Sequence, residues 1–165
     1  MERTGVDNLI SYWNASLCAQ LSPSAFYEQL EDEIQCEELP DLDMTRSFLR
    51  EGGWFSARRE YLRIRWNNFV FDICGFPVGR SFTVSWWLGT IENNVGGLFF
   101  EIPLLGEFLR ERISPVTYYI IDAEASFQRA IHNAVLRVVD HLTEQNELPR
   151  LMEMEREPVM AEFYE

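Results

Sequence analysis

No stretch constrains this chain more than Glu60 to Leu88, EYLRIRWNNFVFDICGFPVGRSFTVSWWL. Leu62, Ile64 and Trp66 share one parity while Tyr61, Arg63 and Arg65 share the other, the period-2 signature of a half-buried strand. Asn67-Asn68 then suits a tight hairpin turn, because Asn tolerates the left-handed backbone. The second break, Gly75-Phe76-Pro77-Val78-Gly79-Arg80, carries two Gly and a Pro and predicts a looser loop. In the third run Phe82, Val84, Trp86 and Leu88 alternate with Thr83, Ser85 and Trp87. The stretch reads as a three-stranded antiparallel meander, and Trp86 and Trp87 must point to opposite faces. The second face is either covered by a helix or loop or presented as a binding face.

Helices are expected on both sides of the meander. Val6, Leu9, Ile10, Trp13, Leu17 and Leu21 fall three and four apart, which predicts a first helix. Ser22-Pro23 gives a capping position and a proline at the first helical position, and Phe26, Leu30 and Ile34 carry a second stripe to about Glu38. A short third helix is expected through Met44, Phe48 and Leu49. Residues 1–53 thus form a helical part, and 54–91 hold the meander, with Trp54-Phe55 beginning a strand or filling the gap before it. Pro103 and the stripe Leu104, Leu105, Phe108, Leu109 and Ile113 predict a short helix within 98–114. Val116 to Ile121 is β-branched and aromatic and predicts a fourth strand over 116–122. A long helix follows over 123–146, with Phe127, Ile131, Ala134, Val138, His141 and Leu142 along one face, and the tail 150–165 is expected to close with a short helix. The fold class is therefore α+β: one domain with a mostly antiparallel sheet of four strands and the long helix packed across it.

A chain of 165 residues can bury a core without disulfide or metal staples. Cys18, Cys36 and Cys74 are odd in number and widely spaced, which suits reduced thiols and a cytoplasmic location. The N-terminus lacks the basic leader and apolar run of a signal peptide. No membrane span is expected, since the most apolar run, Val95 to Gly106, is short and broken by Glu101 and Pro103.

Net charge is −13, and such a field repels polyanions, so direct nucleic-acid binding is disfavoured. The charge is unevenly placed. Glu28 to Asp43 holds eight acids and no base, whereas Arg46 to Arg80 holds seven arginines. These regions either pair within the molecule or serve as two separate contact surfaces. All fourteen basic residues are arginine, where a chain of this length ordinarily carries on the order of ten lysines. Genome composition explains this, or else avoidance of amine chemistry in a protein working beside conjugation or degradation machinery.

Chemistry-bearing motifs are sparse. Cys74 with His132 or His141 is a conceivable thiol–imidazole pair, but nothing in the sequence brings them together, and a buried structural thiol is the commoner fate. No metal-ligand spacing or phosphate loop is present, so no metal or cofactor is expected. The row Arg59, Tyr61, Arg63 and Arg65, together with Trp87, combines the residue types that anchor interfaces. The expected function is a non-catalytic adaptor or accessory subunit. Its candidate surfaces are that row and an acidic face of Glu31, Asp32, Glu37 and Glu38. Two alternatives stand beside it: an acidic mimic of nucleic acid, and a small enzyme using Cys74.

Overall fold

The meander forms, and it is the centre of a larger sheet. The computed structural model describes residues 8–50, 58–91 and 118–160. In chain order these make β1 (Asn8–Leu17), α1 (Pro23–Gln35), β2 (Asp43–Arg50), β3 (Arg58–Trp66), β4 (Phe69–Val78), β5 (Ser81–Thr90), α2 (Tyr118–Gln145), a 3-10 turn (Glu153–Glu155) and β6 (Val159–Met160). The six strands pair antiparallel in the order β2-β3-β4-β5-β1-β6. The architecture is α+β, with a six-stranded rather than a four-stranded sheet.

Register follows the sequence alternation. Leu62, Ile64 and Trp66 stand opposite Ile73, Phe71 and Phe69, and these in turn face Trp86, Leu88 and Thr90. Asn67 takes φ 56° and Gly79 takes φ 60°, so both hairpins close in tight two-residue turns. The looser second loop does not form, because β4 keeps its pairing through Pro77 and Val78.

Four further sequence expectations are corrected. The segment from Val6 to Leu21 is not a helix: its described part contains β1, whose inward positions Ser11, Trp13, Ala15 and Leu17 alternate in register with β5. Small Ser11 and Ala15 on the buried face hide the period-2 pattern and leave a helix-like spacing of the larger residues. The expected helix through Met44 and Phe48 is β2, where Arg46 stands on the side that faces α1 and masks the alternation. Tyr118 to Ile121 are the first turn of α2, not a fourth strand. A β-propensity advantage of a fraction of a kcal/mol per residue does not outweigh joining a helix whose stripe from Phe127 to Leu142 is buried on the sheet. The described part of the tail, to Met160, carries the 3-10 turn and β6 where a closing helix is expected. The short helix expected within 98–114 and the Trp54-Phe55 segment lie outside the described residues.

Both helices pack on one sheet face. Phe26, Tyr27, Leu30 and Ile34 of α1 are fully buried, and Phe26 meets Phe82 edge-on at 5.6 Å. From α2, Phe127 packs among Trp66, Phe69 and Phe71 at 5.4 to 6.3 Å. Trp86 lies in this core, and Trp87 lies half-buried on the opposite face.

Candidate functional site

The arginine row lies on the face away from the helices, and much of it is tied into the fold. Arg63 grips Asp72 across the β3–β4 ladder with two hydrogen bonds of 2.7 Å. Both side chains keep only 11% exposure. Tyr61 is buried with its ring 6.1 Å from that of Trp87, and the Arg59 guanidinium sits 4.0 Å over the Phe76 ring. Arg65 is exposed. Val70 and Cys74 are also buried on this face.

The acidic helix is bracketed by two arginines. Arg46 of β2 binds Glu31 through two bonds of 2.6 and 2.8 Å and lies over the Tyr27 ring. Arg137 of α2 binds Glu33 at 2.7 Å and also Glu37. These bonds hold both guanidinium pKa values above their ordinary range. Asp32 and Glu38 stay exposed. The intramolecular pairing considered from the sequence is thus made by Arg46 and by the distant Arg137, whereas Arg63 pairs with Asp72 within the meander.

Cys74 is buried with Sγ 3.5 Å from the Glu60 carbonyl oxygen. Its register partner is Ser85, so it belongs to the face opposite Trp86 and His132. His141 is exposed on α2 and lies 2.8 Å from Gln145. The two histidines therefore do not share a face with the thiol. Among the described residues no cluster of three or more His, Cys, Asp or Glu could hold a metal ion. No helix there is long and apolar enough to cross a membrane.

A different constellation, unmarked in the sequence, gathers at the C-terminus. His132 is buried between two indoles, each ring centroid 5.5 Å away. The Trp86 indole N–H donates to His132 Nδ1 at 3.1 Å, which assigns the ring proton to Nε2. Nε2–H then donates to the Arg156 carbonyl at 2.7 Å. Next to it, the Trp13 indole N–H donates to the Glu155 carbonyl at 2.7 Å. Two consecutive carbonyls of the tail are thus captured by side chains from β1 and α2. The Arg156 guanidinium binds Asp140 at 2.7 and 2.8 Å, and this bond holds the carboxyl below its usual pKa. Burial pushes His132 below the ordinary imidazole range. The bond to the Arg156 carbonyl opposes that shift, and the Arg156 charge adds to it.

This strap, residues 151–160, leaves a cleft of about 580 Å³ against α2, lined by Ile121, Glu124, Leu136, Pro158 and Met160 among others. Burial raises the Glu124 carboxyl pKa there. Eight large hydrophobic residues are exposed among the described residues. Four of them, Met152, Met154, Val159 and Met160, belong to the strap, and a fifth, Ile121, lines the cleft.

No protein-family model matches the chain, and no curated protein does. A crystal structure of a protein from Thermus thermophilus is similar at 14% identity with a TM-score of 0.28, covering 78% of this chain and 97% of that one. A likeness of that degree carries no argument about fold or function.

Proposed function

We propose that the protein is a non-catalytic adaptor or accessory subunit and that it meets its partner through the C-terminal strap. The observation that carries this reading is the concentration of exposed apolar side chains on one short segment. Met154 and Met160 are 77% and 62% exposed. Unbranched Met side chains adapt to many apolar shapes, which suits a contact surface. Glu153, Glu155 and Glu157 stand among them, so the complementary partner is a protein surface with an apolar centre and a basic rim. The lysine-free composition adds a preference for a partner in a conjugation or degradation pathway. Arg65 and Trp87, on the other sheet face, form a smaller second candidate surface.

Affinity purification of the full chain from its native host tests the reading. A stoichiometric partner is expected with the wild type and is lost with Met154→Glu/Met160→Glu. The same partner held equally well by that variant, or a wild-type protein recovered alone, overturns it.

A further inference from the structure

We propose that the strap is a proton-operated latch, docked while His132 is neutral and displaced when His132 takes a proton. The hydrogen bonds around His132 fit one protonation state. In the neutral ring Nδ1 accepts from Trp86 and Nε2–H donates to the Arg156 carbonyl, so every polar site is matched. A second proton places an N–H on Nδ1, directly facing the Trp86 indole N–H. Two donors then meet with no acceptor between them, inside a site where His132 is 7% exposed. A ring flip brings no relief, because both nitrogens of the imidazolium are donors. The ring must leave Trp86, and the strap lies across its way out.

The groups around the ring favour that movement. On α2, Glu124 and Arg129 line the same cleft, and on the strap Glu153, Arg156 and Glu157 do so. The sheet contributes Trp13 and Trp86, which do not titrate in this range. The cleft sets the carboxyl groups of Glu124, Glu153 and Glu157 against the guanidinium groups of Arg129 and Arg156, so a ring swung into it meets more acids than bases, whereas a ring left in place faces the Arg156 charge and the unmatched Trp86 N–H. The Arg156–Asp140 pair does not involve the ring, and its hydrogen bond holds the Asp140 carboxyl below its ordinary range. It is a partly exposed bond that holds a side chain and not the two captured carbonyls. The latch requires no partner and stands apart from the adaptor reading.

The Trp13 indole N–H supplies the test, because its partner is the Glu155 carbonyl of the strap. The His132 ring touches the Trp13 ring, so a shift of the Trp13 signal alone does not read the strap; the protection of the indole proton against exchange with water does. In NMR of the full chain that protection is expected to fall by about tenfold or more, with a midpoint equal to that of His132 itself. His132→Gln keeps an acceptor and a donor without a titration, and is expected to keep the protection across the same range. Protection that holds while His132 titrates overturns the latch, as does loss of the whole fold before His132 takes its proton. The wild-type exchange measurement decides the matter alone if the Gln variant does not fold.

Discussion

The hydroxyl of Tyr27 stands where Gly75 should meet a neighbouring strand: it accepts the Gly75 N–H at 3.0 Å and donates to the Glu60 carbonyl at 2.6 Å. In the register set by Leu62 and Ile73, Glu60 and Gly75 face one another. The hydroxyl of α1 therefore replaces a ladder bond between β3 and β4. Burial keeps it protonated well beyond the ordinary tyrosine range. Tyr27→Phe leaves that N–H and that carbonyl without their partner, and the expected loss is about 1–3 kcal/mol. Urea unfolding measures it, and an unchanged midpoint would mean that the two strands close on their own.

Gly75 itself allows α1 to lie this close. A Cβ there would stand 2.5 Å from Phe26 Cδ1 and 3.0 Å from Phe82. Phe26 is fully buried and has no room to retreat. Gly75→Ala is expected to cost roughly 1–3 kcal/mol, and Phe26→Leu should cost less in that background than in the wild type. Thermal unfolding of the two single variants and the double variant reads the coupling.

The Arg63–Asp72 pair gives a third expectation. Removing Arg63 alone strands a carboxylate in a nearly dry site, and Arg63→Ala is expected to cost about 3 kcal/mol. Replacing both partners with apolar side chains, Arg63→Met/Asp72→Leu, should cost distinctly less. Chemical denaturation in which the double variant is the less stable would refute the burial argument.

Acid stability should have two contributions whose losses begin at different pH. His132 has a folded pKa below its unfolded value of about 6.5, so its contribution is complete above that pH and is lost as pH falls through the folded value. Asp140 is likewise depressed, and its contribution disappears only as pH drops below about 4 toward its own folded value. Unfolding free energy measured against pH should lose its upper decline in His132→Gln and its lower one in Asp140→Asn.

Legibility in the sequence tracks how many residues face one environment. Leu62, Ile64, Phe82, Val84 and Trp86 are all large, apolar and inward, and their alternation fixed the meander without help. β1 carries Ser11 and Ala15 on its buried face, and β2 carries an exposed Arg46 on the side that faces α1, so the same period is present but written in residues that hydropathy cannot separate. The strap's anchors were unreadable for another reason. Trp13 and His132 bind the main-chain carbonyls of Glu155 and Arg156, and a carbonyl has no side-chain signature. Exposed Met154 and Met160 were visible as letters and ambiguous as structure, since the tail's stripe fits a helix as well as a strap.

The strand order has a consequence for how the molecule is made. β1 is synthesised first, yet its neighbours are β5 and β6, and the bond from Trp13 to Glu155 spans 142 positions of the chain. During translation the first strand emerges with both edges unsatisfied while β2, β3 and β4 can already join one another. It takes its place only when β5 arrives, and its far side closes only when Val159 and Met160 have left the ribosome. A chain that stops short of the strap is therefore born with an open sheet edge beside Trp13, where another nascent copy could pair.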